Sequence, residues 1–265
     1  MSRFRFEAIL LGIGQDAGLP QAGCQCPNCR AAWADPSLRQ HAASLAIVDH
    51  TTHDAWFLDA TPDFREQWQA LGVLVPGCRL AGVALTHAHI GHYAGLMHIG
   101  REAWGLHDLP VYATAAMGSF LSDNAPWSQL VSLRNIDLRT LTDSDPTVLA
   151  PGLSLTPYAV THRDEFADTV AFLVQGPGRR LFCCPDIDGW DRWNRDIRRV
   201  VEGVHIALLD ATFYSLAEFG DRAVDIRTIP HSLVTDTVER LEGTSSDVRL
   251  VHLNHSNPLH RNGPE

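Results

Sequence analysis

What most constrains this chain is where its polar residues fall relative to its apolar runs. Nine short runs recur: EAILLGIG, SLAIVD, AWFLDAT, GVALTHAH, LSLTPYAVTH, TVAFLVQG, RRLFCCPD, HIALLDATF and VRLVHLNH. They are rich in Val, Ile, Leu and Phe and too short for buried helices, so they read as buried strands. Run after run closes on a residue that can bind or titrate. Asp59 follows WFL, His87 and His89 follow VALT, and His162 follows PYAVT. Asp186 follows LFCCP, Asp210 follows ALL, and His252 and His255 close RLVHLNH. Polar groups on loops at strand ends, held by a stiff scaffold, are a common way to assemble a site.

Helical patterns lie between the runs: residues 63–71, 92–105, 115–122, 190–202 and 234–241. The first strand is expected over residues 4–12. Alternating strands and helices in both halves predict an α/β fold, two packed sheets with helices outside, in a single domain spanning 1–265. With 21 Lys+Arg against 31 Asp+Glu, the net charge of −10 argues against nucleic-acid and anionic-membrane partners. No stretch approaches the ~20 apolar residues of a membrane-spanning helix. Three of the six cysteines crowd into residues 24–29 and two are adjacent, Cys183 and Cys184. That is not a disulfide framework, so a reducing, cytoplasmic compartment is expected.

Thr86-His87-Ala88-His89-Ile90-Gly91-His92 carries the strongest chemical signal. Residues two apart on an extended segment point the same way, so His87 and His89 can present two imidazoles to one ion. His92, at the start of the next helix, can face a second position. Neutral imidazole suits zinc, manganese or iron. Cys24, Cys26 and Cys29 form a C-x-C-x-x-C set, and three thiolates on one loop suit a tetrahedral zinc that needs a fourth ligand.

The histidine segment resembles the H-x-H-x-D-H motif of the metallo-β-lactamase-fold hydrolases. Asp59, His162, Asp186 and His252 follow in the family's order. The resemblance implies a four-layer αββα sandwich with a metal site at one edge of the sheets. It assigns His87, His89 and His162 to one ion, His92 and His252 to a second, and Asp186 as a bridge. Gly91 stands where the family has Asp, which removes one carboxylate. Asp59 is expected to orient the His87 loop.

Residues 14–29, GQDAGLPQAGCQCPNC, resemble the opening of protein B of pyrroloquinoline quinone biosynthesis and, more loosely, the cyclic phosphodiesterase of phosphonate breakdown. Residues 59–65, 92–96 and 254–258 fit the first. The second has a terminal H-x-x-H that serves both metal sites. That resemblance assigns His252 to the active site and His255 to a structural zinc with Cys24, Cys26 and Cys29. His41 and His260 are rival fourth ligands. Asp210 and His231 resemble the acid–histidine pair of phosphodiesterases in this superfamily, which implies leaving-group protonation or anion binding by His231. Asp210 also reads as a helix N-cap before FYSLAEF.

The leading expectation is therefore a metal-dependent hydrolase with a structural zinc and an active-site zinc, manganese or iron. Asp186 serves a water, His231 a leaving group, and the substrate is a small phosphodiester, ester or lactone. The alternatives are a non-haem iron oxygenase or hydroxylase, and a silent binding protein whose site decayed at Gly91. A homodimer is compatible with the sequence.

Overall fold

The computed structural model describes residues 5–219 and 230–261. Its contacts divide the chain into two compact units that interleave along the sequence. The first comprises Met1–Gly12, His41–Thr142 and Glu165–Asp168; the second comprises Ile13–Gln40, Asp143–Asp164 and Thr169–Glu265.

The first unit holds a six-stranded sheet in sequential order: β1 (Phe6–Gly12), β2 (Ser44–Asp49), β3 (Asp54–Leu58), β4 (Arg79–Ala84), β5 (Leu109–Thr114) and β6 (Ile136–Leu141). β1, β2 and β3 pair antiparallel, and β3 to β6 pair parallel. Parallel strands are covered on both faces and tolerate near-continuous apolar sequence, as the buried AWFL of β3 shows. Helix α2 (Phe64–Leu74) turns Phe64 and Leu71 into a core that includes Phe57, Val83 and Val111. The Phe57 and Phe64 rings lie 5.1 Å apart.

The second unit holds the other sheet, again in sequential order from β7 (Thr147–Ala150) through β8 (Leu153–Val160), β9 (Thr169–Gln175), β10 (Arg180–Cys184) and β11 (Ile206–Asp210) to β12 (Asp247–Val251). Here the antiparallel strands come first, and β10, β11 and β12 are parallel. Ile197 and Val201 of one helix (Ile197–Glu202) and Leu241 of another (Val234–Leu241) pack with Phe182, Ala207 and Leu209. Trp190 and Trp193 are buried in the same core and donate to Thr237 Oγ1 and to the Ala159 carbonyl.

The α/β expectation holds, with local corrections. β1 begins at Phe6, and Phe4 lies outside the described residues. The helix expected over 92–105 is one α turn, Ile90–Tyr93, followed by a 3-10 stretch, Ala94–His98. Of the helix expected over 190–202, only Ile197–Glu202 forms. The segment before it is engaged elsewhere: Asp188 N donates to the Thr161 carbonyl and Trp190 N to Ser232 Oγ. Among the described residues, no helix is long and apolar enough to cross a membrane.

Candidate metal centres

In the first unit, β3 ends at Leu58 and the chain turns through Asp59, whose φ of 65° is left-handed. Short polar residues tolerate that region best. Asp59 N still donates to the Ala84 carbonyl at 2.8 Å, extending the β3–β4 ladder. Its buried carboxylate accepts from Thr86 N (2.8 Å) and Thr86 Oγ1 (2.9 Å), and it meets His92 Nδ1 at 2.7 Å. Thr86 Oγ1 also lies 2.9 Å from His87 Nδ1. A hydroxyl has one proton to give, and the carboxylate takes it. Thr86 therefore accepts from His87 Nδ1–H, which leaves Nε2 as the basic nitrogen of His87; the Asp59 contact does the same for His92. His87 Nε2 is 2.9 Å from His89 Nδ1, and His89 Nε2 is 3.0 Å from Glu165 Oε2.

Close backbone approach sets His92 in place. Ala60 N donates to the His92 carbonyl and Gly95 N to the Ala60 carbonyl. A Cβ at Gly95 would fall 2.2 Å from the Thr61 carbonyl oxygen and 2.6 Å from Phe64 Cβ. Only glycine fits there.

In the second unit, Asp210 ends β11 fully buried. It accepts from Thr212 N (2.8 Å), Thr212 Oγ1 (2.7 Å) and Ile187 N (3.1 Å), and it holds His231 Nδ1 at 2.9 Å. Asp210 is thus not a helix N-cap; the helical turn beyond it, Leu216–Phe219, starts six residues later. Thr212 Oγ1 lies 2.9 Å from His252 Nδ1 and again fixes Nε2 as the basic nitrogen. Asp186 is the hub. Its oxygens lie 3.2 Å from His162 Nε2, 3.0 Å from His231 Nδ1 and 3.8 Å from His252 Nε2. Asp186, His231 and His252 offer ligand atoms within 4.8 Å of one another. His162 Nδ1 meets Asp188 at 3.2 Å.

The charges in this cluster follow from its contacts. Burial alone would push Asp186 up, but His231, His252 and the bond from His162 hold it well below the usual carboxylate range. Burial opposes a charge on His231, yet Asp210 and Asp186 together push its pKa up to about 10. His231 is therefore an imidazolium at neutral pH, which suits an acid or an anion anchor better than a metal ligand.

A separate centre lies at the start of α1 (Pro27–Ala34). Cys24, Cys26, Cys29 and His255 bring their ligand atoms within 4.8 Å of one another. Backbone N–H groups of Gln21, Cys26 and Cys29 each point at a cysteine sulfur at 3.4 Å. His255 Nδ1 is 3.4 Å from Cys24 Sγ and 3.5 Å from Cys26 Sγ. A tetrahedral zinc with Zn–S near 2.3 Å and Zn–N near 2.0 Å spans roughly 3.5 Å between such donors. Burial pushes the Cys29 thiol up to about 12 and the His255 imidazole down. The imidazole is thus neutral, and the buried sulfur becomes a thiolate only beside a cation. The donor set fits zinc. His41 lies instead 3.5 Å from Asp63, and His260 contacts the Asn254 carbonyl. None of the six cysteines is in a disulfide.

Thr86, Thr212 and Asp188 fix the tautomers or orientation of His87, His252 and His162. Position two after Asp186 was the available signal for Asp188. The two threonines had none, because a hydroxyl next to a histidine is common.

Comparison with known proteins bears on these centres. Residues 56–255 match the Beta-lactamase superfamily domain. Coenzyme PQQ synthesis protein B of Methylobacterium sp. (strain 4-46) is 28% identical over 279 residues, covering 96% of this chain and 91% of that protein. Among solved structures, Zn(2+)-bound PqqB from Methylobacterium extorquens superposes with a TM-score of 0.81 at 24% identity, covering 96% of this chain and 91% of that one. A diphosphatase from the PhnP family superposes with a TM-score of 0.71 at 20% identity, covering 96% and 89%.

Proposed function

The chain belongs to the β-lactamase superfamily and has its fold, and on that premise we propose that it is a metal-dependent hydrolase of a small-molecule phosphodiester or related ester. One observation carries this reading. His231 Nδ1 sits between two buried carboxylates, Asp186 at 3.0 Å and Asp210 at 2.9 Å, which keep the ring cationic beside the Asp186–His252 donors. A fixed cation there suits a phosphoryl group or a leaving oxygen. The PhnP-family diphosphatase among the structural relatives supports a phosphoryl substrate.

The residues of the second unit that would hold divalent ions are His162 beside Asp186 at one position and His252 beside Asp186 at another, nitrogen and oxygen donors suited to zinc, manganese or iron. In the first unit, the residues that the family pattern assigns to metal are His87, His89 and His92. Such an ion, when bound, supplies Lewis-acid polarisation and acidifies a water toward a pKa of about 7. Asp186, held as a carboxylate, would orient an attacking water by accepting its hydrogen bond. Asp210 keeps Nδ1 of His231 protonated and aims the ring. His231 then gives a proton from Nε2 to the departing oxygen. Cys24, Cys26, Cys29 and His255 would hold a structural zinc.

The test compares two diesters on metal-reconstituted protein, bis(p-nitrophenyl) phosphate and diphenyl phosphate. Both are expected to be cleaved only with metal. His231→Ala should slow the phenyl ester about 100-fold or more and the nitrophenyl ester far less, because nitrophenolate leaves without a proton. No metal-dependent cleavage of either, with iron-dependent oxygen uptake instead, would replace hydrolysis by the oxygenase reading.

A further inference from the structure

The segment between β1 and α1 carries a carboxylate, Asp16. Ile13–Gln15 runs parallel to the end of the chain's last strand. Leu253 N donates to the Ile13 carbonyl and Gln15 N to the Leu253 carbonyl, both at 2.8 Å, with Gly14 bridged to Leu253. Ile13 packs with Ala211, Val234 and Leu253. A tight turn follows, with Gly18 N donating to the Gln15 carbonyl. Asp16 is thus delivered, one residue past a hydrogen-bonded bridge, to the neighbour of Leu253, which is His252.

Asp16 Oδ1 lies 3.6 Å from His252 Nε2, and Asp186 Oδ2 lies 3.8 Å from the same nitrogen. His252 is fully buried, and Oδ1 of Asp16 is buried although the rest of its side chain reaches solvent. Thr212 Oγ1 faces Nδ1, so Nε2 is the nitrogen of His252 that faces both carboxylates. Both separations exceed the 2.7–3.2 Å of an N–H···O bond. They are instead within a few tenths of an ångström of the roughly 3.0–3.4 Å between neighbouring ligand atoms on one ion about 2.1 Å away.

We propose that Asp16 is a ligand of an active-site ion beside His252, with which it offers ligand atoms within 4.8 Å. The proposal rests on reading His252 as a ligand in the proposed hydrolase. It supplies the second unit with two carboxylate charges of its own, in a chain that has glycine at position 91.

The experiment is titration of zinc and, separately, cobalt into apo-protein, with stoichiometry by elemental analysis and ligand change read from cobalt d–d absorption. Asp16→Asn keeps the shape and removes the charge; the Cys26→Ser variant marks the cysteine site. Asp16→Asn is expected to weaken one of the two binding events at least 100-fold and alter its cobalt spectrum. That event should be the one that survives in Cys26→Ser. Unchanged affinity and spectrum in Asp16→Asn, with the event lost in His252→Ala, would overturn the assignment of Asp16 and leave the hydrolase site standing. An event unaffected by His252→Ala and Asp186→Ala alike would overturn the site and the assignment of Asp16 together.

Discussion

The tetrapeptide Leu-Asp-Ala-Thr occurs at residues 58–61 and again at 209–212, and the two corners solve one problem with different backbones. In both, a parallel strand ends at a buried carboxylate, and carboxylate, threonine hydroxyl and imidazole Nδ1 connect in a row, with the last distance 2.9 Å each time. In the first corner the left-handed residue is the carboxylate, Asp59; in the second it is the imidazole, His252, at φ 63°. The relay hydroxyl differs accordingly. The second corner uses the tetrapeptide's own Thr212. The first borrows Thr86 from beyond β4, while Thr61 bonds Gln67 and accepts from Asp63 N. Each carboxylate also holds a second imidazole by Nδ1, His92 or His231. His231 also meets Asp186, and that corner gains a fixed cation. Identical sequence therefore yields one corner that orients bases and one that also stores a proton.

The sharpest way to break this contrast is to remove each carboxylate. Asp210→Ala is expected to cost 10²–10⁴-fold in kcat, with active-site metal content largely kept. Asp59→Ala is expected to cost roughly 10–100-fold in metal affinity, with kcat recovered at saturating metal. Equal profiles in rate and metal content would mean that the corners are equivalent. Smaller effects follow from Thr86→Val and Thr212→Val, which remove the relay hydroxyl at nearly constant volume. Each is expected to weaken metal binding about 10-fold, measured by chelator competition, and Thr→Ser should restore it. A response confined to one threonine would show that only one relay matters.

The smallest effect probes what the first corner has and the second lacks, the Asp63–His41 pair just beyond it. The hydrogen bond with Asp63 raises His41 above its ordinary value, and that same contact, against burial, lowers Asp63. A raised histidine stabilises the fold below pH ~6.5 and loses that contribution as pH rises through its folded pKa; a lowered aspartate contributes above pH ~4 and loses it below. The pair is partly exposed, so it is worth well under about 1 kcal/mol. His41→Asn should lower Tm by about 1–2 °C near pH 5.5 and not at pH 8. Scanning calorimetry at the two pH values decides it.

Much of this was legible in the sequence wherever a strand's apolar run ended on a titratable residue, because burial and period-2 geometry are local. β2 and the helix Val234–Leu241 have the bounds their patterns give. What could not be read had non-local causes. β5 and β6 escaped notice because Pro110 interrupts one and Asp137 and Arg139 break the apolar run of the other. The helix expected after His92 stops early because Gly95 must press against Thr61, a contact visible only once β3 and α2 are in place. Thr86, Thr212 and Asp16 act through partners on neighbouring segments, and no spacing rule marks them.

The clasp of Cys24, Cys26 and Cys29 on His255 has a consequence for synthesis. Cys24 and its imidazole partner are 231 positions apart. At bacterial or eukaryotic elongation rates, the three thiols leave the ribosome about 10–50 s before that histidine is made. During that interval they are a nascent, sulfur-rich loop without its fourth donor. A chain released by stalled translation before residue 255 lacks that donor.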